Sequence, residues 1–397
     1  MDPLPTDVAT MEPMLPEEAN RDLEDTAFEL IARASALAGQ IHPIVTRSVG
    51  DLVRSMNCYY SNFIEGHNTH PRDIDRALRN DFSKQTKQRE LQKEAVAHIE
   101  VQRLIDEGRD DRQAPLTSGY GLWLHREFCS RLPKTMLWVE DPESHRKVRV
   151  EPGVLRDGEV AVGDHLPPSA AALPRFLDRF DAAYDPRNLS KIRQVVAVAA
   201  AHHRFLWIHP FYDGNGRVAR LMSHAMLTRL GIGNSLWSVA RGLARNVATY
   251  KSLLHEADQT RKGDLDGRGA LSEGALVAFC RFFLDAALDQ VSYMHSILDP
   301  AELLRRIEIY TEEEIRARRL PKGAFSLLRE AVLAGEFERG KAASITGYEE
   351  RAARTVLSAL IKRGLLVSVS PKKPVRLGLP LAVVERWFPA LYPAVRA

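Results

Sequence analysis

The sequence predicts a mainly α protein with one short β-hairpin and a smaller α+β domain at the C-terminal end. Two observations lead there. Apolar residues recur at helical spacing through most of the chain. β-branched residues separated by Pro, Gly or Asp mark two short stretches, Val148 to Val162 and Leu365 to Leu377. At 397 residues the chain is long enough for two or three domains. Its 45% apolar and 27% charged content is that of an ordinary soluble protein, and a net charge of +3 implies no global preference for nucleic acid or membrane. Cys58, Cys129 and Cys280 lie far apart, with no CxxC pair. That argues against a disulfide framework or a zinc site and fits a reducing cytoplasm. The first twenty residues lack a basic segment followed by an apolar one, so no signal peptide is expected. No run approaches eighteen apolar residues, so no membrane partner is expected either.

In chain order, residues 1–21 are acidic and Pro-rich, and read as a flexible arm. A helical region follows over 22–114. Leu23, Phe28, Leu30, Ile31 and Leu37 share one helix face, and a second helix runs from about Ile44 to Gly66. Asp73 to Gly108 supplies one or two solvated helices. A core is expected over 115–299. Leu122 to Leu132 opens it as a helix, and a hairpin follows in which Asp157-Gly158 turns between Gly153 to Arg156 and Glu159 to Gly163. Val195 to His203 reads as a buried helix, Val218 to Leu230 as another, and Leu276 to Leu298 as a long closing helix. A charged connecting helix occupies 300–320. Over 321–397, three helices and then two strands around Pro371-Lys372-Lys373-Pro374 give the pattern of a winged helix-turn-helix domain. Arg351 and Arg354 on its third helix make DNA one possible partner.

The stretch His209-Pro210-Phe211-Tyr212-Asp213-Gly214-Asn215-Gly216-Arg217-Val218-Ala219-Arg220 joins two of these helices. Gly214 and Gly216 open the second one. The free N–H groups and positive dipole end of a helix start form an anion site, and glycine lets a phosphate approach closely. Arg217 and Arg220 are one turn apart and can face the same anion. Asp213 beside a polyphosphate suits Mg²⁺, and His209 can take a proton near neutral pH. The residues therefore describe a nucleotide polyphosphate site with its own metal and base.

The pattern His-x-Phe-x-Asp-Gly-Asn-Gly-Arg-x-x-Arg also resembles the signature of the Fic family. The resemblance implies a Fic-type helical core and transfer of AMP from ATP to a Ser, Thr or Tyr hydroxyl of a target protein, with self-modification possible. It implies His209 as catalytic base and Asp213 as the Mg²⁺ ligand. Gly214, Asn215, Gly216, Arg217 and Arg220 would hold the nucleotide, with Arg217 toward the β- and Arg220 toward the γ-phosphate. Tyr250 is similar in position to a tyrosine that relatives place near the base.

Upstream, Ser61-Asn62-Phe63-Ile64-Glu65-Gly66 resembles the family's inhibitory pattern, [Ser/Thr]-x-x-x-Glu-[Gly/Asn]. That implies pairing of Glu65 with Arg220, so that a carboxylate occupies the guanidinium meant for the γ-phosphate. The pairing could be made within the chain or across a homodimer. The 153–163 hairpin resembles the family's flap, whose edge residues Glu159, Val160, Ala161 and Val162 would hold a target segment through the main chain. Two other readings stay open. In one, an eraser or bifunctional enzyme uses Glu65 to orient water and remove AMP. In the other, the protein is a transcription regulator whose Fic fold is only a platform.

Overall fold

The computed structural model describes residues 4–17, 20–110, 113–140 and 147–392. The chain divides into two compact units. Unit 1 comprises residues up to 33, 57–234 and 238–290, and unit 2 comprises 34–56, 235–237 and the chain from 291 onward. The sequence places a boundary at 299/300; the break between the two units lies at 290/291, within the helix Glu273–Ile297, and residues 34–56 group with the second unit. Among the described residues no helix is long and apolar enough to cross a membrane.

The first half of the chain supplies helices α1 (Arg21–Ala38), α2 (Pro43–Ile64), α3 (Pro71–Leu78), α4 (Thr86–Asp106) and α5 (Ser118–Cys129). A two-stranded antiparallel sheet follows, β1 (Trp138–Glu140) with β2 (Lys147–Arg149). Then come α6 (Leu173–Ala183), α7 (Lys191–Ile208), α8 (Asn215–Arg229), α9 (Ala240–Arg245), α10 (Val247–Ala257) and α11 (Glu273–Ile297). The centre of unit 1 is α7. Val195 to Ala200 are fully buried, so this helix is apolar all round, as a central helix must be. It packs on α6 and α8, and α8 in turn packs on α4 and α5. The antiparallel pair α7–α8 brings the His209–Arg220 stretch to the turn between them.

Two sequence expectations need correcting here. The N-terminal arm, over its described residues, is a docked strap. Met11 and Met14 are buried. The Pro13 carbonyl accepts from the buried Arg204 guanidinium, at 3.0 and 2.8 Å, and the Met14 carbonyl from Tyr184 Oη at 2.6 Å. Two polar groups of the core find their partners in the strap, which is why it does not float. Second, the hairpin expected over 153–163 is displaced: the paired strands are β1 and β2. Residues 153–168 run largely as loop, with a single bridge from Val162 to His165. The Gly158 and Pro168 carbonyls accept from the Arg156 guanidinium, and the Arg156 N–H donates to the Pro210 carbonyl of the α7–α8 turn, in place of a facing strand. On α1, Leu23, Leu30 and Leu37 are buried as expected, but Phe28 is 63% exposed.

The C-terminal part of unit 2 contains α12 (Pro300–Arg316), α13 (Ala324–Leu333), β3 (Glu336–Phe337), α14 (Ala342–Thr346), α15 (Glu350–Lys362), β4 (Leu366–Val367), β5 (Val375–Leu377) and α16 (Leu381–Trp387). The three strands form an antiparallel sheet in the order β3-β5-β4. Leu327, Leu328, Leu360, Val375 and Leu377 fill its core. The sequence offered no sign of the two-residue β3 or of α16. The latter is fixed by its tertiary partner α12, where Arg306 Nε donates to the Trp387 carbonyl at 2.8 Å.

Candidate active site

The last residue of the α7 turn is set by backbone geometry. His209 caps α7 in the left-handed region, φ 49° and ψ 60°, with its N–H donating to the Phe205 carbonyl at 3.1 Å. A non-glycine residue seldom adopts this conformation, so the surroundings must hold it. Phe211 is buried and stacks parallel to His125 at 3.8 Å between centroids. Asn215 closes the loop, accepting from the Phe211 N–H at 3.0 Å and donating to its carbonyl at 2.8 Å. Its side chain is thereby committed to the loop and is not free for a ligand. Gly214, φ 84°, starts α8 without a side-chain cap, so the N–H groups of the first turn face outward.

The start of α8 borders, through Gly216, a cavity of about 590 Å³ lined by Glu65, Val162, His209, Gly216, Arg220 and Tyr250, among others. The volume suits a nucleotide-sized ligand. The Glu65 carboxylate sits directly over the helix start: a Cβ placed on Gly216 would overlap Glu65 Oε1. Arg220 Nη2 meets Glu65 Oε1 at 2.5 Å, and the same guanidinium donates to Ser61 Oγ at 2.9 Å and to the Ser61 carbonyl at 3.2 Å. Burial opposes a charge on Glu65, but Arg220, Arg217 and the hydrogen bond from Arg220 outweigh it and hold its pKa at about 2. The sequence-predicted Ser61, Glu65, Gly216 and Arg220 therefore meet at one point.

Arg217 does not join them. Its Nη2 donates to Glu94 Oε1 on α4 at 2.5 Å and lies 3.0 Å from His67 Nδ1, and the guanidinium sits 5.5 Å from the Phe128 ring centroid. Both Arg217 and Glu94 are almost fully buried. The shared anion expected for the two arginines is thus replaced by two separate carboxylates, because α4 presents one of its own. The sequence carried a signal for this: Glu94, His98 and Gln102 recur every fourth residue along a helix, a polar stripe on a buried face. Removing one member of such a pair leaves a buried charge, so Glu94→Ala is expected to lower stability by about 3–5 kcal/mol, read from the urea midpoint.

His209 is pushed down to about 4, by burial first and then by the Arg156 charge, so the imidazole is neutral at pH 7. Asp213 is exposed, and its Oδ1 accepts from the Gly214 N–H at 2.6 Å. Among the described residues no cluster of three His, Cys, Asp or Glu could form a metal cage. A single exposed carboxylate fits Mg²⁺, which takes one or two carboxylates and draws its other ligands from phosphates and water. Tyr250 is 2% exposed and its hydroxyl bonds His202 Nε2 at 2.7 Å, so its ring belongs to the cavity wall and its polar end to the core.

Of the residues expected in the flap, Val162 lines the cavity and is 42% exposed. Ala161 is exposed and Val160 half-buried. The Glu159 carboxylate accepts from the Ala170 N–H at 3.2 and 3.3 Å and so steadies the segment. Sequence reasoning missed two residues that hold this segment, His125 and Arg156. His125 Nδ1 accepts from the Gly153 N–H at 2.9 Å, which leaves Nε2 as the protonated nitrogen facing the Asp213 carbonyl at 3.2 Å. Neither had a local signal: His125 lies in an apolar helix and Arg156 in a loop.

Residues 115–227 match the model of the Fic/DOC family. A Drosophila erecta protein named protein adenylyltransferase Fic is 37% identical over 109 residues, 26% of this chain and 22% of that protein. The Drosophila melanogaster protein of the same name is 37% identical over 94 residues, 22% of this chain and 19% of that protein. The matches thus cover about a fifth of these relatives' length. A solved Fic family protein from Desulfovibrio desulfuricans G20 has the same fold, with a TM-score of 0.51 over 92% of this chain and 97% of that one, at 19% identity.

Proposed function

We propose, from the match of residues 115–227 to the Fic/DOC family model, that this chain is a protein adenylyltransferase held off by its own Glu65. One observation carries the reading: a carboxylate already occupies the helix-start cradle, over Gly216 and on Arg220. A site that holds one anion there by charge and geometry has what an ATP phosphate requires.

In the reaction, a target Ser, Thr or Tyr oxygen forms a bond to the α-phosphorus of ATP, the bond to the bridging oxygen breaks, and pyrophosphate leaves. His209 takes the hydroxyl proton. The first N–H groups of α8, around Asn215 and Gly216, face the phosphates, while the Gly214 N–H is held by Asp213 Oδ1. Arg220 takes the γ-phosphate once Glu65 withdraws. Arg217, turned onto Glu94, acts on the phosphates through space and not by contact. Asp213 would hold Mg²⁺, which supplies neutralisation of the phosphate charge when bound. The protein's work is placement and charge compensation. The main-chain edge at Val160 and Ala161, whose N–H groups carry no hydrogen bond among the described residues, suits pairing with an extended target segment.

The order α13-β3-α14-α15-β4-β5 supports a winged helix for the C-terminal domain. Arg354 is paired with Glu350 on the same face at 3.0 Å, which weakens the positive field a phosphate backbone would meet. The topology therefore supports the winged helix, and a DNA partner is not part of the proposal.

The test is incubation with Mg²⁺ and α-labelled ATP. Glu65→Gly takes up label on protein strongly, the wild type weakly and His209→Ala not at all. No label in any variant contradicts the proposal.

A further inference from the structure

Arg156 is 2% exposed and uses every nitrogen of its guanidinium on a main-chain carbonyl. Nε donates to His209 at 2.9 Å, Nη1 to Gly158 at 2.9 Å and Nη2 to Pro168 at 2.5 Å. Its own N–H donates to the Pro210 carbonyl at 3.0 Å. The nearest carboxylate is Glu159, at 3.5 Å and half-exposed. A guanidinium buried for three neutral carbonyls is an expensive way to fill space, and burial indeed lowers its pKa. What the arrangement achieves is geometric. Gly158 and Pro168 bracket the segment that carries Val160 to Val162, and His209 is the residue held in the left-handed conformation. Two further ties run in parallel: Tyr212 Oη to Asp157 Oδ1 at 2.7 Å, and the His125 bridge from Gly153 to Asp213.

We propose that Arg156 is the positioning residue of this site: one guanidinium fastens the His209 carbonyl to both ends of the Gly158–Pro168 segment, so that the base and the edge receiving the target keep a single register. The role of the edge rests on the adenylyl-transfer reading above; the tie between Arg156 and His209 does not. A planar fork reaches three divergent carbonyls at once, and a lysine ammonium on a flexible stem cannot. Loosening the tie leaves the phosphate cradle of α8 intact, since Arg156 touches none of it.

In the Glu65→Gly background, Arg156→Met and Arg156→Lys are each expected to slow self-labelling from α-labelled ATP by about 10²-fold, while the ATP dissociation constant moves by less than about threefold. Labelling by either variant within about threefold of its parent, at equal folded fraction, overturns the inference. A second readout needs no activity. By NMR, the His209 imidazole in Arg156→Met titrates higher than in the parent and its backbone carbon shifts leave their left-handed values. Both unchanged overturns the inference. If the Glu65→Gly parent itself takes no label, the adenylyl-transfer reading fails, and the NMR result alone decides whether Arg156 positions His209.

Discussion

Glu65→Gly is expected to raise incorporation of label from α-labelled ATP by about 10- to 100-fold over wild type, the factor that about 1.5–3 kcal/mol of one charge-assisted hydrogen bond represents. The carboxylate acts twice. It occupies Arg220 Nη2, and it places a negative charge over the first turn of α8 where the phosphates would lie. Acid does not relieve it at ordinary pH. The folded pKa lies near 2, below the usual 4.5. The contact therefore contributes stability in full above about pH 4.5 and loses it only as the pH falls toward 2. On the proposed reading, release comes from movement of the end of α2 and not from titration. Arg220 keeps its two bonds to Ser61 in this variant, so the fold of the site survives.

His209→Ala is expected to lower the transfer rate of Glu65→Gly by about 10²- to 10⁴-fold, the usual contribution of a positioned general base. ATP binding should persist, because the phosphates rest on α8 and Arg220. The same residue sets the acid limb of the pH profile. The acceptor form is the neutral imidazole, and with a pKa near 4 in the free protein it is fully present at pH 7 and lost as the pH falls through 4. A bound triphosphate adds negative charge beside the ring and raises that pKa. The limb in the rate at saturating ATP should therefore lie above the limb in the free protein. A limb that does not move with ATP saturation would mean that His209 stands apart from the phosphates.

Much of the site was legible because its chemistry is local. Twelve consecutive residues supply the turn, the helix start, the histidine and both arginines. The Ser61–Glu65 spacing places two groups on one helix face whatever the rest of the chain does. What escaped depends on distant partners. Glu94 captures Arg217 across helices more than a hundred positions apart in sequence. The loop at 153–168 contains β-branched residues in alternation, which favour a strand, but its backbone groups find partners on Arg156 and the α7–α8 turn. The N-terminal strap has the composition of a loose arm and is held by two core side chains, Arg204 and Tyr184, that donate to its carbonyls. The two-residue β3 is too short to show a period at all.

On the proposed adenylyl-transfer reading, this site moves the nucleotide and not the terminal phosphate. The decisive comparison gives Glu65→Gly, with Mg²⁺, ATP labelled at the α-phosphate in one reaction and at the γ-phosphate in another. Label retained on protein from the α-position alone is the predicted result. Label from the γ-position, or from neither, would contradict it.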